Sequence, residues 1–441
     1  MAAQEDHAAQ EDAGLSESKD PKSTKSSKEE RTRLEEALEH FLRRAMDIEE
    51  CARQYITAAN KDHRDSTKAL HSGLIDLGNL IEDQPKKESK VAIVKRLLAT
   101  VREAKRLEGS SPGRTIERGL FIYLFAAFDK FIGDMIFALY ETNPLLYRNL
   151  NRDIKLAEAL QFDSIEELRR AVLDKEIENL RRKSYAEQFK DMENRFSITL
   201  TKFDTWPEFI ESSQRRNLFT HCDGVVSKQY LDACAEANYK FKEPRSIGEQ
   251  LSIGPDYFFA VCMVVTQVAV MLTQTLWRKT APDELEKADN HLTNLIFEFL
   301  QAEHWGNVIS LSQFAVKLPK ISSNQMERIF TINYGIALKA RGKADACRNM
   351  LAKMDWSATS YDFKLANAVL CDHLEDAKDL MLKIGKKGEL VSELAYHDWP
   401  LFRDFRSTEA FFSAYAEIYG YDFVDKLSSL ANEAETQVEA E

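Results

Sequence analysis

The stretch Phe258–Trp277 reads FFAVCMVVTQVAVMLTQTLW, twenty residues without a charged side chain. Its length is that of a membrane-spanning helix. A Thr-Gln pair at Thr266 recurs seven residues later at Thr273, so both pairs lie on one face of a helix and form a polar stripe. Such a stripe fits a helix that is buried among other helices, or that faces a second protomer, better than a helix surrounded by lipid. We therefore predict a buried helix and no membrane span.

A second apolar stretch, Gly119–Tyr140, reads GLFIYLFAAFDKFIGDMIFALY. Its charged residues are Asp129, Lys130 and Asp134. A charge near the centre of a bilayer costs about 2.5–3.5 kcal/mol, so we predict a core helix here too. The chain has only 16 Gly and 10 Pro in 441 residues, and this scarcity of turn-forming residues favours helices over sheets. The predicted fold class is all-α.

The composition divides the chain into five regions. Residues 1–28 contain few large apolar side chains, and we predict a disordered tail. Residues 29–109 carry apolar side chains at three- and four-residue steps, which predicts an N-terminal region of helical hairpins. The more apolar residues 112–280 are predicted to form a central helical bundle. Residues 284–425 read as pairs of short helices, and residues 426–441 as an acidic tail.

Basic residues are concentrated in residues 84–108, where eight Lys and Arg stand against three Glu, a net charge of +5. Two readings of this segment remain open. It is the solvated face of a long helix, or it is a strip that contacts the phosphates of a nucleic acid. The whole chain has a net charge of −12, so any contact with nucleic acid has to rest on a local patch.

The helical pairs after residue 284 are similar to tetratricopeptide repeats. Ile309, Cys347 and Ala377 align at equivalent places in the second helix of three pairs, with spacings of 38 and 30 residues around the usual 34. Gly335 and Cys347 match the small positions where the two helices of a repeat approach closely, and Leu351 matches a large apolar position. The resemblance implies a surface that binds another protein.

Residues 213–224 read SQRRNLFTHCDG and contain the pattern Arg216-Asn217-x-x-x-His221. Arginine is a permanent cation with a planar fork of hydrogen-bond donors. Histidine is the side chain that titrates near neutral pH without help. Together they are able to cleave a phosphodiester without metal, because the histidine moves protons while the arginine holds the phosphate. Arg216, Asn217 and His221 are the predicted catalytic residues.

The same pattern, within residues 112–280, resembles the signature of HEPN domains (higher eukaryote and prokaryote nucleotide-binding). A long apolar first helix that carries an acidic residue, here Asp129, also fits that family, as do Asp223–Val226 and Tyr230 after the motif. The resemblance implies a small helical unit with metal-independent ribonuclease activity, in which two protomers line one cleft. It also implies a homodimer, and it associates the protein with phage defence or stress response.

The assignment of the motif arginine is open, because the family tolerates four to six residues between arginine and histidine. Arg215 is therefore the alternative to Arg216, which we prefer because a polar residue follows it. A five-residue step turns a helix by about 500°, which leaves Arg216 and His221 about 140° apart within one chain. We expect Arg215 and Asp129 to contact the substrate.

His221, Arg216 and Asp129 each also have a structural explanation. His221 would then cap a helix or lie hydrogen-bonded in the core. Arg216 would be an ion-pair partner of Glu208 or Glu211, and Asp129 would pair with a buried arginine. These readings make the motif part of the scaffold.

The sequence predicts neither a metal site nor a cofactor. His221, Cys222 and Cys234 lack a fourth zinc ligand at a usual spacing. P-loop, GxGxxG, GxSxG and HExxH patterns are missing from the sequence. The six cysteines contain no CxxC pair, and we interpret them as the reduced thiols of a cytoplasmic protein.

Two functions are consistent with the sequence. The first is an endoribonuclease of HEPN type that leaves 2′,3′-cyclic phosphate and 5′-hydroxyl ends, with RNA as substrate and a protein partner bound by the repeats. The second is a non-catalytic scaffold that dimerises through the HEPN-like unit. Residues 165–216 contain eleven basic and eleven acidic residues, so the region before the motif is not electropositive. The net charge favours the scaffold, and the intact motif favours the nuclease.

Overall fold

The computed structural model describes residues 32–82, 87–150 and 153–426, and in these residues the protein is all-α, as predicted. The predicted disordered tail and nearly all of the acidic tail lie outside the described residues. Two isolated antiparallel bridges, between Val225 and Gln250 and between Lys387 and Ser392, are the β-structure of the described part.

The N-terminal and central helices follow in the order α1 (Arg33–Cys51), a π-helical turn (Ala52–Ile56), α2 (Thr57–Glu82), α3 (Lys87–Leu107), α4 (Pro112–Thr142), α5 (Leu156–Ala159), α6 (Ile165–Arg181), α7 (Tyr185–Phe196), α8 (Trp206–His221), α9 (Lys228–Glu236) and α10 (Pro255–Thr280). The C-terminal helices are α11 (Leu285–Gln301), α12 (Trp305–Val316), α13 (Asn324–Ala340), α14 (Ala344–Leu351), α15 (Tyr361–Leu370), α16 (Leu374–Ile384), α17 (Glu393–Asp398) and α18 (Glu409–Tyr419). Short 3-10 helices lie at Pro144–Asn149, Pro282–Glu284, Pro400–Phe402 and Phe405–Ser407.

Helix α10 lies at the centre of the protein, packed against α1, α4, α8, α11 and α12. Among the described residues it is the one helix with the length and composition to cross a membrane, and 78% of its most apolar window is buried. The prediction of a buried helix is confirmed. Neighbouring helices of the same chain cover most of this apolar surface, so it does not need a second protomer to cover it.

The polar stripe of α10 is bound by the first C-terminal helices. The Gln267 amide donates to Oδ1 of Asn307 over 3.0 Å, and Nε2 of Gln274 lies 3.3 Å from Nδ1 of His291. All four of these side chains are buried. The residues that the sequence assigns to the repeats therefore share one core with the central bundle.

Helix α1 joins the same core from the other end of the chain. The Phe41 ring lies 5.7 Å from that of Phe128 and 5.2 Å from that of Phe131, both on α4. One connected cluster of buried apolar side chains has Leu34 as its first member and Phe423 as its last. The boundaries near residues 110 and 284 are thus changes in amino-acid composition, and buried side chains on both sides of each boundary belong to one hydrophobic core.

Helix α3, which contains most of the basic segment 84–108, packs along α2. Its basic side chains from Lys90 to Arg106 are exposed, and so are the apolar side chains of Val91, Val94 and Leu98. This exposure agrees with the reading of a solvated helix face. A role in contacting phosphates stays a prediction.

The C-terminal region contains three consecutive helical hairpins, α11–α12, α13–α14 and α15–α16. Each turn places one residue in the left-handed region, with φ of 56°, 71° and 62° at Glu303, Gly342 and Asp372. Fully buried side chains occupy the fourth position of each second helix, at Val308, Cys347 and Ala377. Cys347 and Ala377 of the sequence alignment occupy this buried position, whereas Val308 occupies it in place of Ile309. The alignment is shifted by one residue there because Val308 and Ile309 are both aliphatic.

Gly335 lies where two helices of this region approach closely. A Cβ atom on Gly335 would be 2.9 Å from Cδ1 of Leu370 and 3.2 Å from Sγ of Cys347. The predicted close approach of Gly335 and Cys347 is confirmed, and Leu351 is buried as its position requires.

We predict that Gly335→Val lowers the free energy of unfolding by about 1–3 kcal/mol, because the added side chain overpacks this contact. The matched control is Gly78→Val on α2, where a Cβ meets open space. That change should alter stability by about 0.5 kcal/mol or less. Urea unfolding of both variants is the measurement, and equal midpoints would contradict the close approach.

Candidate functional site

Helix α8 carries the motif and ends just after it. Asp223 and Gly224 both adopt left-handed backbone conformations, with φ of 50° and 82°, which stops the helix at His221. The Gly224 N–H donates to the Leu218 carbonyl over 3.0 Å. A Cβ on Gly224 would lie 2.7 Å from Cε1 of Phe219, so the tight turn requires glycine. His221 is thus the last residue of α8.

Arg216 reaches from α8 to the neighbouring helices α4 and α7. Its Nη2 lies 3.6 Å from Oδ2 of Asp129 and 3.3 Å from the Tyr185 hydroxyl. The Phe125 and Tyr185 rings lie 5.6 Å and 5.7 Å from its guanidinium carbon. The side chain remains 22% exposed. Arg216 is therefore oriented by its neighbours while part of it stays open to solvent.

Asp129 anchors this cluster. Its Oδ1 accepts a hydrogen bond of 2.6 Å from the Tyr185 hydroxyl, and Arg181 donates to its backbone carbonyl over 3.0 Å. Burial raises the pKa of the Asp129 carboxyl above its ordinary value, and the Tyr185 hydrogen bond and the charges of Arg216 and Arg181 act in the opposite direction. Asp129 thus forms an ion pair with an arginine, as the structural explanation predicts. Its partner is Arg216, which is partly exposed.

Arg215 lies in a separate, buried network. Its Nη2 is 2.7 Å from Oε1 of Glu211, and the two side chains are 9% and 2% exposed. The same carboxylate accepts hydrogen bonds from the Tyr230 and Tyr257 hydroxyls over 2.5 Å and 2.7 Å. The Arg215 guanidinium also lies 3.9 Å from the centre of the Tyr257 ring. Arg215 neutralises Glu211, and its role as a substrate-binding residue stays a prediction.

His221 is exposed and Asn217 is half-buried. Within residues 32–82, 87–150 and 153–426, neither side chain takes part in a hydrogen bond or an ion pair. One helix separates residues 216 and 221 by about 140° and about 7.5 Å along its axis. A single chain therefore brings Asp129 to Arg216 but does not bring His221 to the same point.

Sequence reasoning missed Tyr185 and Arg118. The capping box between Ser184 and Glu187 fixes the start of α7 immediately before Tyr185, a signal that places the helix but not its contact with Asp129. Arg118 donates to the Phe219 carbonyl over 2.7 Å and forms an ion pair with Asp223. These contacts stabilise the C-terminal end of α8. Neither contact has a signal in the spacing of the sequence.

No three His, Cys, Asp or Glu side chains of the described part form a group that could hold a metal ion. No model of a protein family, no curated protein and no solved structure matches the chain. The resemblance to HEPN domains therefore rests on the motif residues and their helical setting alone.

The two adjacent arginines should differ sharply in their effect on stability. Arg215→Ala leaves the Glu211 carboxylate buried and unpaired, which costs about 3–5 kcal/mol. Arg216→Ala should cost about 1 kcal/mol, because Asp129 and Arg216 are both partly exposed. Thermal unfolding of both variants is the measurement. Similar melting temperatures would show that the buried network contributes less than its geometry implies.

Proposed function

We propose that the protein is a metal-independent endoribonuclease of HEPN type. The observation that carries this proposal is the contrast between neighbouring motif residues. Arg215 is committed to a buried ion pair, whereas Arg216 is oriented and partly exposed and His221 is exposed with no interaction among the described residues. An exposed histidine without a structural task and an oriented, partly exposed arginine are the two kinds of side chain that phosphodiester cleavage requires.

The chemistry follows from these side chains. The 2′-hydroxyl of RNA attacks the adjacent phosphorus, and His221 takes the proton of that hydroxyl. The bond to the 5′-oxygen breaks, and that oxygen takes a proton from water while His221 returns its proton to the solvent, giving 2′,3′-cyclic phosphate and 5′-hydroxyl ends. Arg216 stabilises the negative charge on the phosphorane. Asn217 orients His221 or the phosphate, and Asp129 and Tyr185 hold Arg216 in place.

A second copy of the chain completes this site, because one helix separates Arg216 and His221. A patch of exposed, uncharged residues on α4 supports that arrangement: it consists of Gly119, Tyr123 and Ala126 and is bordered on the same face by the exposed Lys130. We propose that a second copy packs on this α4 face and places its own His221 near Arg216. The proposed homodimer rests on this face, because helices of the same chain already cover most of the apolar surface of α10.

The scaffold remains the second candidate, and one observation favours it. Arg216 is already paired with Asp129, the partner that a purely structural arginine would have. In that case the α4 face would serve dimerisation only, and the stacked C-terminal hairpins would bind a protein partner.

Purified protein should cut single-stranded RNA in the presence of EDTA. We expect His221→Ala to lower the rate by about 10²–10⁴-fold, the usual contribution of a positioned acid or base. Arg216→Lys should not restore the activity that Arg216→Ala removes, because lysine lacks the planar fork. Gel analysis of the products and their ends is the measurement.

Two controls make that result specific. His71→Ala, at an exposed histidine on α2, should leave the rate unchanged. DNA of the same sequence should stay intact, because the reaction needs a 2′-hydroxyl. RNA cleavage that survives His221→Ala would assign the motif to the scaffold.

We predict that Gly119→Arg converts the homodimer into a monomer and abolishes RNA cleavage. A Cβ at Gly119 meets open space, so the monomer should keep its fold while the long charged side chain blocks the α4 face. Gly78→Arg on α2, another open position, should remain dimeric and active. Light scattering after size exclusion is the measurement. A wild-type monomer at micromolar concentration would rule out the composite site.

A further inference from the structure

A cavity of about 470 Å³ lies between three elements of the chain. These are the connection from α7 to α8, the C-terminal turns of α10 and the end of α12. Its apolar lining includes Phe203, Met271, Phe314 and Leu318. Cavities of this size, mainly apolar with a few polar groups, are typical of sites for small molecules.

The walls of the cavity are ordered by contacts within the chain. Glu193 accepts hydrogen bonds from the backbone N–H groups of Leu200 and Thr201 over 2.6 Å and 2.9 Å, which fixes the connection before α8. The Phe203 ring meets the Phe314 ring edge to face at 6.0 Å. The site is therefore formed by the packing of the protein itself.

Positive charge surrounds this apolar cavity. Its ionisable lining residues are Lys202, Arg278, Lys279, Lys317 and Asp204, with a net charge of +3. The neighbouring carboxylates of Glu193 and Asp289 reduce the local excess to +1, in a chain of net charge −12. A local excess of this sign attracts anions even when the whole chain is acidic.

Two of the four cations are already paired. Lys317 lies 2.7 Å from Asp204, and Arg278 lies 2.6 Å from Asp289. The ammonium groups of Lys202 and Lys279 are exposed and have no carboxylate within ion-pair distance in the described part of the chain. The helix C-terminus accounts for a cation at Lys279, but Lys202 lies outside any helix.

We propose that this cavity binds a small organic anion. A phosphate or carboxylate group would be held by Lys202 and Lys279, and the apolar part of the ligand would pack against Phe203, Met271 and Phe314. An inorganic anion would leave the apolar floor uncovered, and a neutral apolar molecule would gain nothing from the two ammonium groups. Both chemical parts are therefore needed for affinity.

The position of the cavity links its occupant to the motif helix. The connection that lines it joins α7, which carries Tyr185, to α8, which carries Arg216. A ligand there would contact the segment between α7, which holds Arg216 through Tyr185, and α8, which carries Arg216. Binding itself does not depend on ribonuclease activity, so it is tested without RNA.

Isothermal titration of the full chain separates the two possible sources of the anion. Adenosine 5′-monophosphate carries a phosphate on an aromatic body, and decanoate carries a carboxylate on an alkyl chain. We expect saturable binding of one of them, tighter than that of inorganic phosphate or adenosine. The stronger of the two organic anions identifies the ligand class. Failure of both to saturate would overturn the proposal, whatever inorganic phosphate does.

Charge-reversal variants locate the binding. Lys202→Glu combined with Lys279→Glu should weaken the affinity about tenfold, because two favourable charge contacts become repulsive. Lys353→Glu combined with Lys387→Glu makes the same change in net charge at exposed residues that do not line the cavity, and should keep the affinity. Thr199→Trp, at an exposed position of the rim, should also weaken binding by filling the entrance. Equal affinities in the two double variants would place the bound anion elsewhere.

Discussion

The uncharged helix α10 imposes a requirement on the rest of the chain, because an apolar helix of this length has to be covered on all sides. Each square ångström of apolar surface removed from water stabilises the fold by roughly 25 cal/mol. Helices from both ends of the sequence, α1 and α11–α12, supply that cover together with α4 and α8. The buried amides of Gln267 and Gln274 add a second condition, since an unsatisfied buried polar group costs about 1–3 kcal/mol. Their partners on α11 and α12 make the C-terminal hairpins part of the core.

The same packing decides what each residue of α8 does. Successive residues of a helix point about 100° apart, so Arg215 and Arg216 meet different surroundings although they are adjacent. One side of α8 presses Arg215 and Glu211 against α9 and α10, where Tyr230 and Tyr257 complete the network. The Arg216 side chain points about 100° away and reaches α4. His221, the last residue of the helix, is exposed to solvent. The sixteen residues of α8 thus carry both a buried ion pair and a motif that is partly exposed.

Sequence patterns predicted which faces are apolar but not what covers them. The burial of α10 and the close approach at Gly335 followed from periodicity and residue size. The cover supplied by α1 and α11 did not, because a stripe on one helix contains no information about a partner far away in sequence. The ion pairs show a finer limit. Glu211 precedes Arg215 by four residues, the spacing that lets helix side chains meet. The interpretation that Glu211 pairs with Arg216, five residues away, ignored that rule. The carboxylate that pairs with Arg216 is Asp129, on another helix.

The pairing of Arg216 with Asp129 sets a condition on any phosphate chemistry at this site. An ionised carboxylate beside the arginine repels a phosphate and cancels much of the attraction that the guanidinium offers. Burial raises the pKa of Asp129, so its neutral form is more populated at a given pH than that of an ordinary carboxyl group. When Asp129 is protonated, Arg216 keeps its full charge for the incoming phosphate, and Tyr185 still holds the arginine through its hydroxyl. The burial that raises the pKa of Asp129 therefore also makes Arg216 more available to an anion.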